Sequence, residues 1–306
     1  MKKMKWIKIK KLTDQLVFDY RIHPIVKDHC SCRLPSNREI KEIIKLSKEV
    51  LFPGFFSKRN VSETGHWLST FLVTKRLHRK LKREISLALL YLADESRDKN
   101  IAKKSCTLCV DFIASLPQIR AQLHTDLEAH YLGDPAAFNR DQIIVSYPGF
   151  YAIVIYRMAH RLHQLGVPLI PRMMAEFAHR ETGIDINPGA EIGDYFFIDH
   201  GTGVVIGETA VVGNHVKIYQ GVTLGALSTR GGQFLKGVKR HPTIGDNVTI
   251  YAGASILGGS TVVGDHATIG SNAFLTESVP AGARVSIAKQ EQTIRIASER
   301  SSQNVV

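Results

Sequence analysis

The sequence has no apolar run long enough to cross a membrane. Its longest candidates, LALLYLA at 87–93 and FYAIVIY at 150–156, fall far short of the ~18 residues that a spanning helix needs. The basic start, MKKMKWIKIKKL, lacks the apolar core and the small-residue cleavage site of a secretory signal. We therefore expect a protein of the cytoplasm that has no membrane partner.

Cysteine is scarce, since the 306 residues contain only Cys30, Cys32, Cys106 and Cys109. Four sulfurs suffice in number for a zinc site, and the spacing of Cys106 and Cys109 suits one. However, a single residue separates Cys30 from Cys32, and no nearby histidine completes either pair. Residues three apart also share one face of a helix, so we predict apolar packing of these thiols and no metal.

Acidic residues are fewer than basic ones, with 28 Asp and Glu against 40 Lys and Arg and a net charge of +12. The imbalance is local, because residues 184–306 hold 9 basic and 10 acidic side chains and residues 1–183 hold the whole excess. A basic half can indicate a nucleic-acid partner. Here the basic residues are spread along helical stretches without a known nucleic-acid motif, so we expect a solvated helical surface and no nucleic-acid partner.

Residues 1–183 have helical periodicity. The motif SNRE is a capping box in which Ser36 caps a helix and Glu39 reaches back to it. Pro117 is placed to open a later helix that ends before Gly133. The helices that start at Ser36 and Pro117 are two of five predicted helices. The five cover residues 36–52, 64–93, 117–132, 148–165 and 171–182. This spacing predicts a bundle-like α-helical domain.

After Gly183 the period of the aliphatic residues changes from 3.6 to 6. Thirteen positions carry it: Ile186, Ile192, Ile198, Ile206, Val212, Ile218, Leu224, Ile244, Ile250, Ile256, Val263, Ile269 and Leu275. Such a repeat predicts a left-handed parallel β-helix, in which three short strands form one coil and the aliphatic side chains stack inside. We therefore predict an α+β protein with an N-terminal α-helical domain over 1–183, a left-handed parallel β-helix over 184–285 and a polar tail over 286–306.

Two interruptions break the six-residue repeat, and both carry ionisable residues. The count slips by two inside DHGTG, which begins with Asp199 and His200. A longer insertion follows Leu224 and ends at Arg240 and His241. Function tends to lie where a rigid scaffold is interrupted, so both breaks are candidate sites.

Five motifs follow one another in the second half of the chain. They are GDPAA at 133–137, IDINPGAEIG at 184–193, IDHGTGVVIGETAVVG at 198–213, QGVTLG at 220–225 and RHPTIGDNVTIYAGASILG at 240–258. In this order they resemble the serine O-acetyltransferases of the hexapeptide-repeat acyltransferase family. The repeat alone is shared with other acyltransferases, whereas DPA followed by DHGTG and RHP is specific. The resemblance covers about residues 120–285 and implies acetyl transfer from acetyl-CoA to the L-serine hydroxyl, which opens cysteine synthesis.

The resemblance also assigns roles to six residues. His200 is the expected general base, and Asp185 is the carboxylate that orients it. The expected contacts of the acceptor are Asp134 and Asp199 for its ammonium and Arg240 for its carboxylate, with His241 lining the pocket. These residue types suit the chemistry, since imidazole accepts protons near neutral pH and the guanidinium fork matches a carboxylate.

Acetyl-CoA is expected along the glycine- and alanine-rich corners of the coils, with basic loop residues near its phosphates. The positions concerned are Gly225, Ala226, Lys239, Ala252 and Gly253. The tetrahedral oxyanion is expected to meet backbone N–H groups at a coil corner. No metal is expected.

The resemblance further implies several partners. L-cysteine is an expected feedback inhibitor, and a trimer or a dimer of trimers is the expected assembly. Related enzymes insert a C-terminal tail ending in isoleucine into cysteine synthase. Here the tail ends at Val306 without the familiar glycine- and acid-containing ending, so we expect weak or absent complex formation.

Three alternatives remain at this point. The acceptor of the acetyl group is homoserine or a sugar in the first. The second is a zinc enzyme like the γ-carbonic anhydrases, although the histidines of this half lack a close pair of ligands. The third is a scaffold protein with a decayed site.

Overall fold

The computed structural model of the chain describes residues 2–23, 33–56, 66–92 and 100–288. Within these ranges seven α-helices precede fourteen short strands, and a short 3₁₀ helix, Gly232–Leu235, lies between the seventh and eighth strands. The helices are α1 (Lys2–Ile22), α2 (Asn37–Leu51), α3 (His66–Leu92), α4 (Ile101–Gly133), α5 (Arg140–Ser146), α6 (Pro148–Gln164) and α7 (Ile170–Thr182). None of the helices in the described ranges has the length and apolarity needed to cross a membrane.

Helix α2 begins as predicted, with half of the expected capping box. The Ser36 hydroxyl accepts a hydrogen bond from the Glu39 N–H at 3.2 Å. The reciprocal bond was predicted wrongly, because the Ser36 N–H donates to Glu84 of α3 at 3.0 Å. The Glu39 carboxylate instead accepts from the Lys80 ammonium, also on α3, at 2.5 Å. Tertiary contacts between α2 and α3 thus replace the local bond.

Helix α4 corrects the prediction that Pro117 opens a helix, since Pro117 lies inside its 33 residues. The apolar face continues across the proline, with Leu116 and Ile119 both buried. Packing of that face against α3 and α6 compensates for the one hydrogen bond that a proline removes.

Cys109 is also buried in α4, and its thiol contacts the His78 carbonyl oxygen at 3.5 Å. Burial raises the pKa of this thiol to about 12, as for a packed cysteine; Cys30 and Cys32 lie outside the described residues.

The strands form three parallel sheets, which are the faces of a triangular coil. Face one holds β1 (Asp185–Ile186), β4 (Val205–Ile206), β7 (Thr223–Gly225), β10 (Ser255–Leu257) and β13 (Phe274–Leu275). Face two holds β2 (Glu191–Ile192), β5 (Val211–Val212), β8 (Thr243–Ile244) and β11 (Val262–Val263). Face three holds β3 (Phe197–Ile198), β6 (Lys217–Ile218), β9 (Thr249–Ile250), β12 (Thr268–Ile269) and β14 (Arg284–Val285). All thirteen predicted aliphatic positions lie in strands, and twelve of them are buried.

The strand register shows both interruptions of the repeat. Val205 pairs with Thr223, which lies 18 residues later, and 18 residues is the regular length of one coil. Asp185 pairs with Val205 at a separation that is longer by two, so the first coil contains the slip seen in DHGTG. Thr223 pairs with Ser255 across the long loop, which lengthens its coil without disturbing the pairing. A rigid coil therefore carries these two insertions at defined corners, and a third of one residue lengthens the coil that pairs Thr243 with Val262.

A buried ion pair joins the helices to the first coil. The Arg157 guanidinium of α6 donates to both carboxylate oxygens of Asp126 in α4, at 3.0 and 2.9 Å. It also donates to the carbonyl oxygens of Ile192 and Gly193 at 2.6 Å. The Asp126 carboxylate in turn accepts from the Phe196 N–H at 3.0 Å. The helices are thus fastened to the corner between faces two and three.

Candidate active site

The two extra residues of the first coil are His200 and Gly201. Both have a left-handed backbone, with φ values of 54° and 84°. A Cβ on Gly201 would lie 2.5 Å from Cδ1 of Ile184, so the chain turns inward at a point where only glycine fits. The inward turn leaves the His200 side chain pointing out, with 75% of its surface exposed. The slip therefore presents an imidazole to the solvent beside a regular coil.

We name the edge at which face three turns into face one the His200 corner; it comprises residues 199–204, 219–222 and 251–254. Asp199 lies next to the histidine, with Oδ1 3.7 Å from His200 Nε2. Asp134, at the end of α4, is also close enough for the His200 charge to act on it. Two carboxylates and one imidazole therefore gather at this corner.

The Asp134 carboxylate is held by two donors. Its Oδ1 accepts from the Ala136 N–H at 2.8 Å, and its Oδ2 accepts from the Tyr147 hydroxyl at 2.5 Å. The Tyr147 bond is the largest cause that lowers the pKa of Asp134 below its ordinary value. Asp134 closes α4, and α5 begins only at Arg140, so the side chain forms a turn and does not cap a following helix.

Close helix packing brings Asp134 to this corner. A Cβ on Gly149 in the first turn of α6 would lie 2.3 Å from the Ile198 carbonyl oxygen. A Cβ on Gly133 would lie 3.1 Å from the Phe197 ring. His130 is buried one turn before Asp134, with its ring edge-on to Phe197 at 5.0 Å. Two glycines thus let the ends of α4 and α6 approach the coil.

Asp185, predicted to orient His200, lies in β1 on the adjacent face. Its Oδ1 is buried and has no hydrogen-bond partner among the described residues. The guanidinium of Arg172 in α7 approaches this oxygen at 3.7 Å. The nearer carboxylate to His200 is thus Asp199, and the orienting role of Asp185 stays a prediction.

Arg240 and His241 lie at a different edge, where face one turns into face two. We name this edge, residues 207–210 with 226–242, the Arg240 corner. The Arg240 guanidinium donates to the Glu208 carboxylate and, at 3.3 Å, to the Leu235 carbonyl oxygen of the long loop. Glu208 was absent from the predicted set, although its place in IGETA at a coil corner is a signal for it.

His241 is buried at the Arg240 corner in its neutral form. Its Nδ1 accepts from the Thr209 N–H at 3.0 Å. Burial, followed by the charge of Arg240, lowers the pKa of His241 to about 4. A Cβ on Gly207 would lie 2.0 Å from the His241 ring, so the ring rests on a glycine. The wall that it forms carries no charge at neutral pH.

The residues predicted to bind acetyl-CoA are divided between the two corners. Ala226 lies at the Arg240 corner, and Gly225 precedes it as the last residue of β7, where it pairs with Leu257 of the next coil. Ala252 and Gly253 lie at the His200 corner, where Gly253 stacks on Gly221. The ammonium of Lys239 donates to the Thr209 carbonyl oxygen at 2.6 Å, and burial lowers its pKa. Face one therefore separates two half-sites within one chain.

The described ranges contain no group of three or more His, Cys, Asp or Glu side chains placed to hold a metal ion. No protein-family model matches the chain. The plasmid serine acetyltransferase of Synechococcus elongatus is 47% identical to it over 264 residues, which cover 84% of this chain and 82% of that protein. The chain belongs to the serine acetyltransferase family.

Solved structures of this family are similar to the chain over most of its length. Serine acetyltransferase 1 of Entamoeba histolytica, in complex with L-cysteine, is 38% identical with a TM-score of 0.70. That similarity covers 88% of this chain and 95% of the other. A serine acetyltransferase in complex with CoA is 28% identical with a TM-score of 0.52, over 81% of this chain and 95% of the other.

Family membership confirms the resemblance and the fold class. The chain has an N-terminal helical domain followed by a left-handed parallel β-helix. The roles of the predicted site residues stay predictions. Beyond that set, Tyr147 and Glu208 each contact a predicted residue directly.

Proposed function

We propose that this chain transfers the acetyl group of acetyl-CoA to the hydroxyl of L-serine and releases O-acetylserine and CoA. The observation that carries the proposal is the exposed His200 imidazole, which a two-residue insertion presents beside Asp199 and Asp134. Family membership favours serine over the homoserine, sugar and zinc-enzyme alternatives. It also favours a working enzyme over a scaffold.

His200 acts as the general base in the proposed mechanism. Its free ring nitrogen accepts the proton of the serine hydroxyl while the serine oxygen attacks the thioester carbonyl carbon. The carbon–sulfur bond then breaks, and the imidazolium returns the proton to the CoA thiolate. Backbone N–H groups of a coil corner stabilise the oxyanion between these steps.

Asp185 orients the His200 ring in this proposal. Its buried Oδ1 lacks a hydrogen-bond partner within the described ranges, and such an oxygen is costly to leave unpaired. A rotation of the exposed His200 side chain towards β1 would give that oxygen an N–H donor. Asp199 and Asp134 then remain free to bind the ammonium of serine.

Arg240 binds the carboxylate of serine from the opposite half-site, with His241 beside it. Three of the five guanidinium N–H donors bind Glu208 and two loop carbonyls in the described part of the chain, which leaves two for a bidentate contact. The two corners lie at opposite edges of face one, so one chain does not close the site. We propose a cyclic trimer in which the His200 corner of one subunit faces the Arg240 corner of the next.

Acetyl-CoA would lie in the same cleft, along coil corners built from glycine and alanine. Gly225 and Gly253 pack against the next coil, since a Cβ there would lie 2.8 Å from Leu257 and 2.3 Å from Asn272 respectively. Lys239 would meet the CoA phosphates only after giving up its bond to the Thr209 carbonyl oxygen.

The helical domain over 1–183 contributes Asp134 to the acceptor site and takes part in assembly in this proposal. The β-helix over 184–285 carries the other site residues. The tail over 286–306 lies largely outside the described residues, and weak or absent docking to cysteine synthase stays a prediction. The cytoplasmic location likewise stays a prediction.

The test is to mix the purified chain with acetyl-CoA and L-serine and to follow the release of free thiol. L-serine should be acetylated much faster than L-homoserine or a sugar at equal concentration. L-cysteine carries the same ammonium and carboxylate, so it should inhibit in competition with L-serine. Thiol release that does not depend on L-serine, or that is faster with another acceptor, would refute the proposed acceptor.

A further inference from the structure

Tyr147 occupies the single residue between α5 and α6, and the reaction proposed above gives it no role. Its N–H donates to the Ile143 carbonyl oxygen at 3.1 Å, and its own carbonyl oxygen accepts from the Tyr151 N–H at 3.0 Å. The backbone of Tyr147 therefore ends one helix and starts the next. The point from which the phenol extends is thus fixed by both helices.

That hydroxyl completes the coordination of Asp134. It donates to Oδ2 at 2.5 Å, while the Ala136 N–H donates to Oδ1 at 2.8 Å. One donor on each oxygen fixes the plane of the carboxylate. The remaining lone pairs can then face the corner where the acceptor ammonium is expected.

The charges around Asp134 determine the direction of the Tyr147 bond. Hydrogen bonding to Asp134 and then burial raise the pKa of Tyr147 to about 12, with a smaller contribution from Asp199. The same bond lowers the pKa of Asp134, with smaller contributions from His200 and His130. At neutral pH the phenol is therefore protonated and donates, while the carboxylate is ionised.

Tyr147 also responds to the second carboxylate of the corner. The charge of Asp199 adds to the raised pKa of its phenol, while Asp134 accepts its hydrogen bond. The contact of Gly149 with Ile198 holds the start of α6 against the coil. Tyr147 is thus a neutral donor that binds one of the two carboxylates of the corner.

We propose that Tyr147 is a positioning residue for the ammonium of the acceptor amino acid, which acts by holding the Asp134 carboxylate in its binding orientation. This inference rests on the proposed function, because it takes Asp134 as a ligand of that ammonium. It predicts that Tyr147 affects L-serine and L-cysteine alike and leaves acetyl-CoA unaffected.

The variant Tyr147→Phe tests the inference, since it removes the hydroxyl and keeps the ring. We expect the KM for L-serine to rise about tenfold, as for a lost hydrogen bond to a charged group. kcat and the KM for acetyl-CoA should change by less than about twofold, because Tyr147 does not touch the proton in transfer. The inhibition constant for L-cysteine should rise by the same factor as the KM for L-serine. Tyr151→Phe, one turn along α6, is the matched control and should change none of these.

The pH profile provides a readout that a purely structural role would not change. Tyr147 lowers the pKa of Asp134, so its removal should raise that pKa. The acid limb of L-cysteine binding, which needs no general base, should then move to higher pH in Tyr147→Phe. His130, Asp199 and His200 are present in both proteins, so the difference between the two profiles reports the phenol.

A double-mutant cycle with Asp134→Asn identifies the route of the effect. If Tyr147 acts through Asp134, adding Tyr147→Phe to Asp134→Asn should change L-serine binding by less than about twofold. An equal effect in both backgrounds, or an unchanged KM in Tyr147→Phe, would overturn the inference. Binding of L-serine and L-cysteine measured by calorimetry keeps this test independent of turnover, whereas an unmodified chain that binds L-serine but does not acetylate it would refute the proposed function alone.

Discussion

His200 shares its left-handed backbone with two other histidines at coil corners. The φ values are 54° for His200, 56° for His215 and 59° for His266. Histidine at such a corner is therefore compatible with a structural role alone. His200 differs because Gly201 follows it as a second inserted residue and because two carboxylates lie nearby. At the scale of the residue, its surroundings indicate function more than the residue type does.

His200→Ala should reduce kcat by roughly 10²–10⁴-fold, the usual effect of losing a general base. The fold should persist, because the side chain is exposed. His266→Ala is the matched control, since it removes a histidine from the same backbone conformation. Turnover close to that of the unmodified protein in His200→Ala, measured by thiol release, would show that another group takes the proton.

Arg240→Lys should raise the KM for L-serine about tenfold or more, because an ammonium cannot reproduce a bidentate fork. The KM for acetyl-CoA should stay close to its original value. Arg230→Lys, in the same loop, serves as the control. A change confined to acetyl-CoA would instead place Arg240 at the CoA phosphates.

At the scale of the element, two helix ends shape the His200 corner. The end of α4 supplies Asp134, and the start of α6 supplies Tyr147. Both reach the coil at a glycine, Gly133 against Phe197 and Gly149 against Ile198. Neither sequence pattern encodes these contacts, because the glycines belong to helices and their partners belong to a strand of the coil.

Gly149→Ala should weaken L-serine binding and lower the melting temperature. The added Cβ would lie 2.3 Å from a backbone oxygen that cannot rotate away, so the start of α6 must move off the corner. Such overpacking typically costs about 1–3 kcal/mol of unfolding free energy. Gly166→Ala is the control, because Gly166 follows α6 in open space at φ 71°. It should lower the melting temperature without changing the KM for L-serine, and equal KM effects in both variants would contradict the packing argument.

At the scale of the whole molecule, the coil separates the proposed acceptor ligands. Asp199 precedes face one at the His200 corner, and Arg240 follows it at the Arg240 corner. Neither insertion bridges the distance, since the long loop folds back and binds Arg240 through the Leu235 and Val238 carbonyl oxygens. A site that uses both corners requires a second copy of the chain.

Mixed assemblies test this requirement. His200→Ala and Arg240→Ala should each be nearly inactive alone. Refolded together in equal amounts, they should recover about one quarter of the unmodified activity, because a quarter of the interfaces in a random cyclic trimer pair two intact corners. A mixture no more active than its components would show that each chain completes its own site.

The sequence determined the coil and four of the seven α-helices, because local periodicity and local caps specify them. It did not predict α1 or α5, and it predicted only the second half of α4. All thirteen predicted aliphatic positions lie in strands, and the predicted spans of α3, α6 and α7 agree with the structure within about two residues. β14 was missed because Arg284 and Val285 do not continue the spacing of the repeat. The interruption at DHGTG was also visible in the sequence, since a two-residue slip is conspicuous in a strict repeat.

Tertiary structure alone decided which side chains meet. Glu39 binds Lys80 instead of completing a capping box, Glu208 binds Arg240 from the far side of the long loop, and Tyr147 binds Asp134 across the whole of α5. It also decided that the predicted ligands occupy two corners of a triangle. A repeat specifies distance along the chain, whereas a contact depends on the folding of the whole chain in space.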